Sequence, residues 1–170
     1  PALLLVVDHL VDSEEYGAAD ELLSKVAEVN PWQPEAWAYR AVLDHLRGSP
    51  GGGEKARDTA LKFWNTNPNV DHLIGRKLSQ KYRFAEGAAS QRKALAFDKD
   101  FAPAKSQLAQ DLLRLGQEEE GWKLAEEAYH DDAYDAVAYN MVTLKETVGK
   151  FHSLTNQHFV VRMSAFEADI

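Results

Sequence analysis

The sequence predicts an all-α protein: a right-handed α-solenoid of about four helix–turn–helix units, closed by a capping helix and a short extended C-terminal tail. Three observations carry this reading. Ile74-Gly75, Gly87 and Ala94 return as Leu108-Ala109, Gly121 and Ala128, each 34 residues on. A self-similarity of about that period marks stacked helical repeats. Within each unit, apolar and small residues recur at steps of three and four, the helical period. Between the two runs of a unit stands turn chemistry, as at Gly116, because only glycine enters the left-handed region without a Cβ penalty.

The elements follow in order. A first helix spans Ala2 to Val11. Tyr16, Ala19, Leu23 and Val26 trace its partner, which ends on Val29-Asn30-Pro31. The second unit opens at Pro34-Glu35-Ala36-Trp37, with Ala41 in the small-residue position. Its second helix is expected over about Glu54 to Trp64, with Ala56, Ala60 and Phe63 on one face, closing on Asn67-Pro68. The Gly-rich loop Arg47 to Gly53 between these helices is expected to be about three residues longer than its counterparts, and mobile. The third unit carries Ile74-Gly75, Leu78, Gly87 and Ala94. The fourth carries Ala102-Pro103-Ala104, Leu108, Ala109, Leu112 and Leu115, then Gly121, Trp122, Ala125, Ala128 and Tyr129. Ala136 to about Val148 reads as a terminal capping helix. Phe159 to Met163 is short and β-branched, and reads as an edge strand or extended tail with no visible partner.

On Trp37, Ile74-Gly75, Leu108-Ala109, Ala19, Ala60, Ala94, Ala128 and the Asn-Pro pairs at Pro31 and Pro68, residues 1 to about 150 resemble the tetratricopeptide-repeat family. Gly87 and Gly121 depart from its usual alanine, and Lys105 from its bulky aromatic. The resemblance implies a concave surface, lined by first helices, that takes an extended peptide or a partner domain. A lysine and asparagine set that clamps a C-terminal carboxylate in one chaperone-binding subgroup is not present. Phe151 to Arg162 resembles the start of a zinc-metallopeptidase-like domain, of the peptidase MA type, that follows such repeats in some bacterial proteins. The H-E-x-x-H motif of those domains would lie beyond Ile170. The division expected is therefore a repeat domain over 1–150, with 151–170 a tail or linker into a downstream domain. The start at Pro1, and the onset of a new element at Phe166 to Ile170, read as a fragment of a longer protein.

Composition excludes several function classes. A net charge of −8, with no basic run beyond two residues, disfavours a nucleic-acid backbone or an anionic membrane surface as partner. With no cysteine there is no disulfide, thiolate nucleophile or cysteine zinc site. No apolar stretch reaches the roughly 18–20 residues of a membrane helix. His9, His45, His72, His130, His152 and His158 lack helical metal-ligand spacing. The cluster His130-Asp131-Asp132 with Asp135 lacks calcium-loop spacing and is expected to cap the helix at Ala136. Gly51-Gly52-Gly53-Glu54-Lys55 has no preceding strand and no phosphate-loop pattern. Glu118-Glu119-Glu120 suits a helix start.

The function expected is a non-catalytic protein-interaction scaffold without cofactor or metal. The alternative is a non-catalytic accessory region of a larger zinc-dependent peptidase. The face expected to meet a peptide carries Tyr39, His72, Arg76, Gln80, Gln107, Gln110 and Arg114, a polar surface with two cations suited to peptide backbone and carboxylates. Losing both arginines is expected to leave folding nearly intact. Trp37, Trp64 and Trp122 are expected to fill the spaces between helix pairs, each contributing on the order of 1.5–3 kcal/mol when fully buried. Trp37→Ala should then cost roughly 3–5 kcal/mol if its ring is well buried, measured by thermal melting.

Overall fold

The computed structural model describes residues 2–49 and 51–168. Among the described residues nine helices stack in sequence: α1 Ala2–Asp12, α2 Tyr16–Val29, α3 Pro34–Leu46, α4 Gly52–Ala60, α5 Pro68–Gln80, α6 Phe84–Phe97, α7 Ala102–Arg114, α8 Glu118–Asp131 and α9 Ala136–Val148. The first eight form four antiparallel pairs and α9 caps the stack. A hairpin of β1 His152–Thr155 and β2 Val160–Met163 follows, then one turn of helix, α10 Ala165–Ala168. Pro1, Pro50, Asp169 and Ile170 lie outside the described residues, and with them parts of the loop and of the terminal readings.

The backbone keeps the repeat throughout. Left-handed residues occur at Glu14, Gly48, Tyr82 and Gly116, with φ of 64°, 70°, 61° and 74°, each 34 residues after the last. The residues before α3, α5, α7 and α9 (Gln33, Asn67, Phe101 and Asp135) share an extended conformation at the same spacing. Asn67 caps α5 through its side chain, and Asp135 caps α9 by accepting from the Val137 and Ala138 amides, as expected of that acidic cluster.

This unbroken register corrects the loop. Equating Asn30-Pro31 with Asn67-Pro68 makes it three residues too long, because the two pairs do different work. Asn30 is the C-cap of α2, whereas Pro68 opens α5 as Pro34 opens α3. No residues are inserted; α4 starts late. Gly51 is left-handed at φ 68°, the helix begins at Gly52, and it ends at Ala60 instead of continuing to Trp64. Phe63 and Trp64 fall beyond it and are 71% and 55% exposed. Gly53 belongs to the helix crossing and not to the loop. A Cβ there would come within 2.6 Å of the His45 ring, just as one at Gly121 would come within 2.9 Å of Leu113. Gly87 occupies the same register, and Ala19 fills it in the first unit.

A nine-residue α4 reaches little of α5, and α3 packs directly against α5 instead. The first turns of the stack wind closely enough for α1 to touch α5, two units away. An ionic cluster forms at this contact. The fully buried Lys77 places Nζ 2.7 Å from Asp8 Oδ1 and 2.8 Å from Asp12 Oδ1. Arg76 adds a bond to Asp8 at 3.0 Å, and the Tyr39 hydroxyl donates to the same carboxylate at 2.6 Å. Lys81 reaches Glu14 at 3.0 Å. Around the cluster lies the main apolar core, from Val7 and Val11 of α1 through Leu23, Val42 and Leu43 to Ile74 and Leu78. Smaller clusters continue it through Leu108 and Leu112 and then through Ala125 and Met141.

The tryptophan expectations change with this picture. Trp64 is exposed, and Trp37 and Trp122 are half-buried. Trp37 lies under the Arg40 guanidinium and donates its indole N–H to the Pro31 carbonyl at 2.7 Å, so its removal should cost less than the fully buried range. One and two units on, its register holds Asp71 and Lys105. Asp71 takes a two-pronged bond from Arg57 at 2.6 and 2.7 Å, and Lys105 bonds Asp131 at 2.6 Å. Ion pairs thus stand where an aromatic is usual.

The tail differs too: β2 has a partner. Leu154 pairs with Val161 and Ser153 with Arg162 in an antiparallel register. The Asn156 side chain closes the turn by accepting from the His158 and Phe159 amides, both at 2.8 Å. Arg162 bonds Glu118 at the start of α8.

Removing one partner from a buried ion pair is costly, so Lys77→Ala should lower stability by about 3 kcal/mol, read by urea denaturation. Burial raises the Asp8 pKa, but bonds from Lys77 and Tyr39 and the charges of Lys77 and Arg76 outweigh it and hold the carboxyl below its ordinary 3.8. The stability it contributes is present above that ordinary value and is lost as pH falls through the lower folded value; Asp8→Asn should flatten this acid limb of the stability profile.

Candidate ligand groove between α5 and α7

The seven residues expected on the concave face divide into two groups. Tyr39, Arg76 and His72 are engaged within the protein. Tyr39 does not face outward: its ring is 5% exposed, and burial, reinforced by the bond to Asp8, raises its phenol pKa well above the usual range. Arg76 is tied to the same carboxylate at 3.0 Å. His72 sits edge-on to Phe101, and its Nδ1 is 2.9 Å from Gln91 Oε1. Burial lowers its pKa despite that bond.

Gln80, Gln107, Gln110 and Arg114 come together. With Ser79, Tyr82 and Phe84 they line a groove of about 330 Å³ between α5 and α7. The spacing explains the convergence. Gln107, Gln110 and Arg114 lie three and four residues apart on one face of α7, and Gln80 ends the facing helix α5. Phe84 opens α6 and forms the end wall. The Arg114 guanidinium stacks on it with its carbon 5.1 Å from the ring centre. Arg114 has no carboxylate within ion-pair distance among the described residues, in a chain whose other arginines, Arg40 apart, are paired.

Below the groove lies a buried carboxylate, Asp111. It accepts from the Ser79 hydroxyl at 2.7 Å and from Gln107 Nε2 at 3.1 Å. Burial raises its pKa, and those two bonds with the nearby Arg114 charge offset only part of the rise. Gln107 thus engages its amide nitrogen inward, and its oxygen is left without a partner among the described hydrogen bonds, an acceptor suited to a peptide N–H. Gln110 donates its amide nitrogen to the Ser106 carbonyl of its own helix at 3.5 Å.

Sequence reasoning missed Tyr82 and Phe84. Tyr82 is 84% exposed and meets Phe84 edge-on, with centroids 5.9 Å apart. The signal lay in the register: Tyr82 stands where Gly48 and Gly116 stand, and a tyrosine in a glycine position is a local conflict. No group of three metal-ligating side chains gathers among the described residues.

No protein-family model matches the sequence, and no curated protein is significantly similar to it. Solved structures do match. MamA superposes with a TM-score of 0.57 at 15% identity, over 85% of this chain and 85% of its own. PilF of Pseudomonas aeruginosa gives 0.55 at 15% identity, over 87% of this chain and 69% of its own. The first tetratricopeptide domain of Spaghetti (RPAP3), bound to the HSP90 peptide SRMEEVD, gives 0.53 at 14% identity, over 69% of this chain and 94% of its own. The chain has the tetratricopeptide-repeat fold. The groove lies between the first helices α5 and α7, and Tyr82, whose backbone is left-handed, forms its rim.

Tyr82→Gly should raise stability by roughly 0.5–1 kcal/mol, since it relieves the left-handed strain and loses little packing. Chemical denaturation measures it, and a loss of stability would show that the Tyr82–Phe84 contact outweighs the strain.

Proposed function

We propose that the chain is a protein-interaction scaffold that holds an extended peptide segment of a partner in the groove between α5 and α7. One observation carries the reading: an arginine with no ion-pair partner among the described residues, over an aromatic wall, beside two glutamines whose amide nitrogens are already engaged within the protein. Arg114 suits a carboxylate, Gln107 and Gln110 suit backbone N–H groups, and Tyr82 with Phe84 suits an apolar side chain. Arg76, Tyr39 and His72 support the groove from the side and do not meet the peptide. The similar tetratricopeptide domain of Spaghetti (RPAP3) is bound to an HSP90 peptide, which supports a peptide-holding role.

A second reading keeps the scaffold but makes its partner a further domain of the same chain, reached through residues 151–170. The hairpin favours it: Leu154, Val161 and Phe159 are exposed, and a two-stranded sheet alone is marginal.

Peptides selected by display against the whole chain should lose at least about ten-fold in affinity on Arg114→Ala with Gln107→Ala, while circular dichroism stays unchanged. Equal binding by the variant, measured by fluorescence anisotropy, would remove the groove as the site.

A further inference from the structure

On the convex side, the junction of the first two units is open. A cleft of about 490 Å³ lies between α2, α3 and α4, over Trp37 and Ala56, with Asp20, Arg40, Asp44 and Lys55 among its walls. The repeat shows what this slot ordinarily contains. Two units on, Asp20, Arg40, Asp44 and Ala56 become Ala88, Leu108, Leu112 and Leu124. Those four form a packed apolar cluster that holds the third unit to the fourth. One unit on, Ile74 and Leu78 replace Arg40 and Asp44, and the cleft shrinks to about 190 Å³. At the first junction alone, charged side chains occupy both of these α3 positions. A stack that can close this slot with leucines leaves it open here at the expense of core, which is where function is expected.

The charges in the cleft are not equivalent. Asp20 is spent on Arg47. Asp44 lies against Gly52, where a Cβ would come within 3.0 Å of its carboxylate, so its charge sits at the first turn of α4 and is stabilised by that helix end. Arg40 and Lys55 have no carboxylate within ion-pair distance among the described residues, although the chain carries a net charge of −8. The Arg40 guanidinium lies over the Trp37 ring, its carbon 4.8 Å from the ring centre, and its N–H groups make no hydrogen bond among the described residues, which leaves them for a ligand. The cleft is of the size that takes a side chain or short segment.

We propose that this convex cleft is a second binding site, distinct from the concave groove, and that it takes an acidic peptide segment of a partner protein. A carboxylate side chain enters between Arg40 and Lys55, and its aliphatic part lies on Trp37 and Ala56. The guanidinium edge donates to the carboxylate, and the ammonium supplies the second charge.

The test uses the whole chain and acetylated, amidated hexaglutamate, followed by two-dimensional amide NMR. Shifts should fall on the Trp37 indole and on residues 37–47 and 52–59 at millimolar peptide or below. Arg40→Ala with Lys55→Ala should weaken binding at least ten-fold, and Lys55→Ala alone by a smaller factor, while Lys150→Ala, an exposed cation at the far end of the stack, leaves it unchanged. Arg40→Leu with Asp44→Leu rebuilds the packing of the later junction. It should raise the melting temperature by roughly 4 °C or more and abolish the shifts. Absence of shifts in the wild type, shifts that survive these changes at the cleft, or an equal response to hexathymidylate would overturn the proposal.

Discussion

A buried ammonium is tolerable only where carboxylates surround it, and in this protein that requirement ties the first helix to the fifth. Lys77 has no exposure, and its partners Asp8 and Asp12 come from two units away. The contact is possible because α4 is short, so that α3 meets α5 directly and the early units wind tightly. It has a cost in binding surface. Asp8 draws in Tyr39 and Arg76, two residues that would otherwise line the concave side. The groove is left to α5 and α7, beyond the cluster.

The same exchange of packing for charge recurs along the stack. The register of Trp37 holds an aspartate at 71 and a lysine at 105, each matched by an opposite charge from the second helix of a pair. Such pairs contribute less net stability than a large apolar side chain, but they tolerate only one arrangement of the helices that bear them. Leucines close the junction of units three and four, ion pairs share the junction of two and three, and the first junction stays open. The slot between successive pairs thus grades from leucines at the third junction to charges at the first, and the two candidate sites lie at different junctions.

The helical periodicity, the glycines at 87, 116 and 121, and the spacing of Ile74-Gly75 to Leu108-Ala109 made the stack legible, because each follows from local geometry. Gly53 was harder. It sits in a run of three glycines that resembles a loop, and only its contact with His45 shows that it belongs to a helix crossing. The hairpin escaped because β1 is four residues long and holds a single apolar residue, Leu154, too few to show a period. Half of the groove could be inferred, since Gln107, Gln110 and Arg114 share a helix face. The withdrawal of Tyr39 and Arg76 could not, because it depends on Asp8, separated from them by one and two units. Nothing local in Lys77 marks it as buried. Tyr82 was visible only as a residue out of place in an otherwise repeating turn.

Repeat stacks ordinarily couple each unit to the next and no further, so they can fray one unit at a time from either end. The bond from α1 to α5 skips a unit, and so closes the first three into a ring of mutual support. Opening unit one releases the Lys77 charge in unit three, and opening unit three strands Asp8 and Asp12 in unit one. Units one to three should therefore exchange their amide hydrogens as a single cooperative block, while α8 and α9, coupled only in series, loosen independently. The scaffold would behave as a stiff handle with a compliant end, and the concave groove lies at the boundary between them.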